Sequence, residues 1–182
     1  MHEPVEQIVD EILVMDAQSG SVKAFEMLVL RWQRRLWRYA YRLTQDSEAA
    51  WDVTQEGWVG IVHGIYRLND AARFGPWAYR IVTNKANDWI RKNAKSSRLQ
   101  TDCVIDKQHL SDPQTNESAT DLQTVMRRLP SRSRTVLTLY YLEGFGLAEA
   151  ASIMRVPTGT VKSRLFKARQ ELKQLWEEYF DK

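Results

Sequence analysis

The chain has 182 residues, 27% of them charged, and a formal net charge of +3. That length suits one medium domain or two small ones, and so mild a balance of charge does not by itself indicate a nucleic-acid partner. The single cysteine, Cys103, excludes an intrachain disulfide and a multi-cysteine zinc site, and His2, His63 and His109 have no ligand spacing, so a cytoplasmic protein without metal or cofactor is expected.

The stretch from Met1 to Asp16 carries Glu3, Glu6, Asp10 and Glu11 and no basic start, unlike a signal peptide. No apolar run approaches the ~20 residues of a membrane span, so no membrane insertion is expected. After Gly20, apolar residues recur at Phe25, Leu28, Val29, Trp32, Leu36, Tyr39, Ala40 and Leu43. Steps of three and four predict a long amphipathic helix, with Ser21 as its N-cap. Asp46 and Ser47 open a second helix, whose inward stripe reads Ala50, Val53, Gly57, Trp58, Ile61, Ile65 and Leu68. Asn69 and Asp70 break the pattern. A third helix is predicted from about Pro76 to Lys95, with Pro76 at an early position where its missing N–H is harmless. Periodicity is lost from Ser96 to Thr120, a stretch too long to sit unstructured inside one compact domain. Residues 1–96 and 121–182 are therefore expected as two helical domains, and residues 97–120 as a flexible linker. In the second domain, a helix from Asp121 ends at Pro130, and Ser131 is expected to cap the next one, which runs to Leu142. Gly144 and Gly146 turn the chain. A short helix from Ala148 to Met154, a tight turn at Arg155 to Pro157 and a long helix from Thr158 to about Tyr179 complete an all-α reading.

Three helical faces carry chemistry. The short helix, turn and long helix at the C-terminus have the helix-turn-helix layout. On the last helix Val161, Leu165, Ala168, Leu172 and Leu175 should pack inward, leaving Lys162, Ser163, Phe166 and Lys167 outward near its start. That end is what a recognition helix presents to the major groove, where lysine and serine donate to base edges and phenylalanine meets a thymine methyl. Arg155, Arg164, Arg169 and Lys173 around it suit phosphate. An ordinary solvated basic helix has the same pattern. On the second helix Asp52, Gln55, Glu56 and Val59 form an acidic and amide stripe opposite the buried one, suited to a basic protein surface or simply to water. On the third helix Arg80, Asn84, Asn87 and Arg91 share one face, with Asp88 and Lys92 beside it and Lys95 and Arg98 beyond. Such a stripe, near Trp77, Tyr79 and Trp89, can hold and stack unpaired bases.

Together these motifs resemble bacterial sigma factors of the extracytoplasmic-function type. The string Ala50-Trp51-Asp52-Val53-Thr54-Gln55-Glu56-Gly57-Trp58 is similar to that family's polymerase-binding motif. Residues Phe74 to Asn84, with Asp88, Arg91 and Lys92, resemble its −10 promoter helix. Leu129-Pro130 followed by Arg132, Arg134, Val136 and Leu137 resembles the start of its −35 domain, and Gly159 to Arg169 its recognition helix. The resemblance covers about Asp16 to Ser97 and Asp121 to Glu177. It implies an alternative sigma factor, a transcription regulator and not an enzyme, whose partners are core RNA polymerase (the β′ clamp helices and the β flap), promoter DNA and an anti-sigma factor. It further implies that Asp52, Gln55, Glu56 and Val59 bind polymerase. Arg80, Asn84, Asn87, Asp88 and Arg91 would bind the melted −10 strand, with an extruded base pocketed around Asn69 to Phe74. Arg155, Thr160, Lys162, Ser163, Arg164, Phe166, Lys167 and Arg169 would bind the −35 element, and the linker would thread toward the polymerase active-site channel.

Four positions depart from the family's pattern. Trp51 stands in place of an acidic residue, which puts the polymerase contact in question. Gly57 replaces a larger apolar residue, at about 1 kcal/mol in a helix interior. Gly146 replaces a Ser or Thr cap, at a few tenths. Arg155 replaces a turn glycine, at about 1 kcal/mol where φ must be positive. Two rival readings are a sigma mimic that only sequesters an anti-sigma factor and a two-domain repressor. The first should lack the basic residues of the last helix, and the second leaves the other two stripes without a role. An enzyme is disfavoured, since no nucleophile–base pair, phosphate loop or metal cluster is found.

Overall fold

A computed structural model describes residues 4–97 and 117–181, with side chains for 5–94 and 121–181. Of the expected linker, Ser97 ends one helix and residues 117–120 begin the next; the rest of it, with Arg98, Cys103, His109 and His2, lies outside the described residues, as does the Lys95 side chain. No strand occurs among the described residues. The helices are α1 (Pro4–Gln18), α2 (Val22–Thr44), α3 (Ser47–Gly64), α4 (Phe74–Ser97), α5 (Glu117–Arg128), α6 (Ser131–Leu137), α7 (Leu147–Met154) and α8 (Thr158–Phe180).

Helix α1 is an element that the sequence reading does not include. It is amphipathic: Leu13, Val14 and Ala17 are buried, and Asp10 holds Arg31 of α2 at 2.7 Å. The Gln18 amide at its end donates to the carbonyls of Ile65 (2.8 Å) and Leu68 (2.7 Å), bonds that tie the turn after α3 to α1. The expected caps are present. The Ser21 hydroxyl accepts from the Ala24 N–H at 3.2 Å, and the Asp46 carboxylate from the Ala49 N–H at 2.9 Å. Helices α2, α3 and α4 then pack around Trp32, Leu36, Tyr39, Val53, Trp58, Ile61, Phe74 and Val82, all buried.

The approach of α3 to α4 rests on glycine. A Cβ at Gly57 would lie 3.0 Å from Val82 Cγ2, one at Gly60 3.1 Å from Ile81 Cγ2, and one at Gly64 2.8 Å from Trp77 Cζ2. Gly57 is thus a packing requirement as well as a helix-weakening departure, because the α4 side chains occupy the space a larger residue needs.

In the second group, α5, α6 and α7 surround the inward face of α8. Val125, Leu129, Val136, Leu139, Ile153, Val161, Leu165 and Ala168 form its core. The cap of α6 differs from expectation. Pro130 is the N-cap and Ser131 the first helical residue, with no side-chain cap bond; the Ser131 carbonyl instead accepts from the Thr135 hydroxyl at 2.8 Å. From Thr138 to Leu142 the helix widens to π geometry before the turn at Gly144 (φ 74°).

The two groups touch. The turn after α6 and helix α7 lie against α4. There the Glu143 carboxylate accepts from the Arg42 guanidinium and the Tyr79 hydroxyl, and the Phe145 ring meets the Tyr79 ring edge-on at 4.8 Å. Buried Arg134 donates to the Arg127 carbonyl (3.1 Å) and, across the junction, to the Leu43 carbonyl (3.0 Å). Burial pulls its guanidinium down to about 10, so it stays charged at neutral pH.

Candidate functional site

The C-terminal face follows directly from the register of α8. Val161, Leu165 and Ala168 are fully inward, so the residues between them must point out. Lys162, Ser163, Phe166, Lys167 and Arg169 are exposed, and Arg164 and Thr160 half-exposed. Phe166 shows 60% of its surface to water, which leaves its ring available for a base contact. The Ser163 hydroxyl donates to the Thr160 carbonyl at 3.0 Å, and Lys167 lies 3.7 Å from Glu171, a loose surface pair that a stronger partner can displace. Arg155 ends α7 in the left-handed region at φ 54°. The strain anticipated there is present, and it holds an exposed arginine in the turn beside the start of α8.

On α3, Asp52, Gln55, Glu56 and Val59 are all exposed. The Glu56 carboxylate pairs with Lys85 of α4 at 3.0 Å, which leans the α3 and α4 faces toward each other. Trp51, next to Asp52, is 45% exposed.

On α4, Asn87, Asp88 and Arg91 are exposed, while Arg80 and Asn84 are half-buried. Arg91 is paired with Asp88 at 2.8 Å. The aromatic residues expected to stack bases are less available than their sequence suggests. Tyr79 is 1% exposed, because Glu143 and Phe145 cover it, and Trp77 and Trp89 are half-buried against the core. Burial and the nearby Glu143 carboxylate push the Tyr79 hydroxyl far above the ordinary tyrosine value, so it remains a proton donor.

The expected base pocket around Asn69 to Phe74 coincides with part of a cleft of about 310 Å³. Its walls include Trp32, Ala71, Phe74 and Tyr79, but also Gln7, Asp10 and Glu11 of α1 and the Glu143–Phe145 turn. The α1 wall has a signal in sequence: Val9, Leu13, Val14 and Ala17 already step at helical spacing. The turn has none, since it arrives from more than sixty residues away.

Among the described residues no group of three or more His, Cys, Asp or Glu side chains is arranged to hold a metal ion. No described helix is long and apolar enough to cross a membrane.

Family models match in two places: sigma-70 region 2 over residues 28–96 and sigma-70 region 4 over residues 119–172. The RNA polymerase sigma-H factor of Pseudomonas aeruginosa is 32% identical over 177 residues, covering 90% of this chain and 91% of that protein. The ECF RNA polymerase sigma-E factor of Haemophilus influenzae is 30% identical over 178 residues, covering 91% and 94%. Among solved structures, CnrH in complex with the cytosolic domain of CnrY has a TM-score of 0.70 at 26% identity, over 93% of this chain and 98% of that one. The sigma factor RpoE of Bartonella quintana, in complex with the anti-sigma factor NepR, has a TM-score of 0.73 at 22% identity, over 86% and 98%, and shares the fold.

Proposed function

This chain belongs to the sigma-70 family, as an alternative sigma factor of the extracytoplasmic-function type, and from that premise we propose how its three exposed faces divide the work of initiation. Residues 1–96 form the polymerase-binding and −10 domain, residues 121–182 the −35 domain, and residues 97–120 the connection between them. Asp52, Gln55, Glu56 and Val59 contact the β′ clamp helices of core polymerase. Arg80, Asn84, Asn87, Asp88 and Arg91 hold the melted −10 strand. Lys162, Ser163, Phe166 and Lys167 read −35 base edges, and Arg155, Thr160, Arg164 and Arg169 fix the duplex through its phosphates. The chain carries out no chemistry of its own, works in the cytoplasm and is held in check by an anti-sigma factor.

The observation that carries this reading is the sorting of α8. Val161, Leu165 and Ala168 of its apolar stripe are buried, while Lys162, Ser163, Phe166 and Lys167 at its N-terminal end are exposed. The exposed Phe166 ring lies on that face with Lys162 and Lys167. Run-off transcription with purified core polymerase and a library of −35 variants tests it. Lys167→Ala should relax preference at one or two base pairs, by roughly 1–3 kcal/mol. Arg169→Ala should weaken binding to all sequences alike and lower the salt slope by about one unit. Uniform loss in both variants would mean that the faces are misassigned.

A further inference from the structure

Trp51 is the residue of the polymerase-binding motif that departs from the family's pattern beside Asp52. It lies on the outward side of α3, one residue from Asp52 and one turn before Gln55, with 45% of its surface exposed. It is not a loose side chain. Its ring packs against Trp37 of α2 with centroids 5.7 Å apart, and Trp37 stacks nearly parallel (10°) on Tyr41 at 5.5 Å. The Tyr41 hydroxyl in turn accepts from Arg127 at 3.0 Å. The indole is therefore braced from within, with its remaining surface left in water beside a carboxylate.

We propose that Trp51 is an affinity-setting anchor for core polymerase, receiving a cationic side chain of the polymerase surface on its exposed side while Asp52 neutralises the charge. This rests on the assignment of Asp52, Gln55 and Glu56 to polymerase and names a further member of that site. Three features support this anchor. The stripe that Trp51 borders presents Asp52, and Glu56 in a surface pair with Lys85 that a cationic partner can displace, so it suits a basic surface. A guanidinium or ammonium that meets Asp52 lies within reach of the neighbouring indole, and an indole is the aromatic group that binds a cation most strongly. A braced ring also loses little conformational freedom on docking, which is why rigid tryptophans dominate the energetics of interfaces. Val59, 57% exposed two turns further along α3, continues the same face with apolar surface.

Binding of the full chain to core polymerase, measured across a salt series, tests this. Trp51→Ala should weaken binding about 10-fold or more, Trp51→Phe should retain most of it, and Trp51→Lys should lose more than Ala because it sets like charges together. Thermal melts separate this from a structural role. If Trp51 only covers Trp37, Trp51→Ala lowers the melting temperature and leaves the affinity for polymerase unchanged, which overturns the proposal. A direct readout is 19F resonance of a 5-fluorotryptophan-labelled chain, with the Trp51 line assigned by its absence in Trp51→Phe. That line should shift when core polymerase binds, and a fixed line overturns the proposal. The double variant Asp52→Arg, Glu56→Arg distinguishes the two levels. Loss of binding there, with Trp51→Ala unaffected, sinks the anchor but leaves the site standing. Full binding in both overturns the anchor and the site together.

Discussion

Removing the Glu143 side chain should weaken the docking of the two helical groups without unfolding either. Its carboxylate is 7% exposed and is shared between Arg42, 29% exposed, and the Tyr79 hydroxyl, on a residue 1% exposed. In Glu143→Ala a buried phenol loses its acceptor, at roughly 1–3 kcal/mol. A guanidinium also loses its counter-ion; a fully buried one would cost about 3–5 kcal/mol, but Arg42 can partly rehydrate and the lower part of the range applies. The two losses overlap as Arg42 relaxes, so a total of about 3 kcal/mol is expected, or about a hundredfold in the docking equilibrium. Glu143→Gln keeps an acceptor for Tyr79 and loses only the charge, so about 1–2 kcal/mol is expected. The cost falls on docking because Glu143 stands in a turn outside both cores, while Arg42 and Tyr79 belong to the other group. Dyes at His63→Cys and Gln174→Cys in a Cys103→Ser background report the separation by energy transfer. Transfer efficiency should be highest in the parent, lower in Glu143→Gln and lowest in Glu143→Ala, with helicity unchanged. An unaltered distance distribution in Glu143→Ala would refute the assignment of this carboxylate as a tie between the groups.

Tyr79 and Tyr39 make the fold sensitive to alkali. Burial raises both hydroxyls above the ordinary value of 10.0, so the folded state holds these protons more tightly than the unfolded chain. Their contribution is complete below pH 10 and declines as the pH rises beyond it toward the folded values; a stability curve flat through pH 11 would contradict this. Gly64→Ala should destabilise the first helical group by roughly 1–3 kcal/mol, because its Cβ would sit 2.8 Å from the Trp77 ring; an unchanged denaturation midpoint would show that the ring yields freely. Asn84→Ala combined with Asn87→Ala should leave polymerase binding and closed complexes intact while permanganate reactivity of −10 thymines drops, and a pre-melted template should restore part of the transcription. Wild-type footprints would show that this face does not hold the melted strand.

Much of the fold is legible along the chain because its causes are local. The caps at Ser21 and Asp46 are bonds to an N–H three residues on, and the buried stripes of α2, α3 and α8 follow from the helical period alone. The outward faces bearing Asp52 on α3 and Lys162 on α8 are the complements of those stripes, so they too can be read from sequence. The strained turn at Arg155 is local for the same reason.

Only the tertiary structure decided what lies against what. Gly57 reads as a helix weakener until α4 is brought onto it, and with Gly60 and Gly64 it sets a distance between two backbones that no period encodes. Tyr79 reads as a base-stacking ring until Glu143 and Phe145 arrive from 64 and more positions away and bury it. Trp51 reads as a departure from a motif until Trp37 is found bracing it. Periodicity reports which side of a helix avoids water. The identity of the neighbour depends on contacts between segments far apart in the chain, and those are set by the packing of the whole.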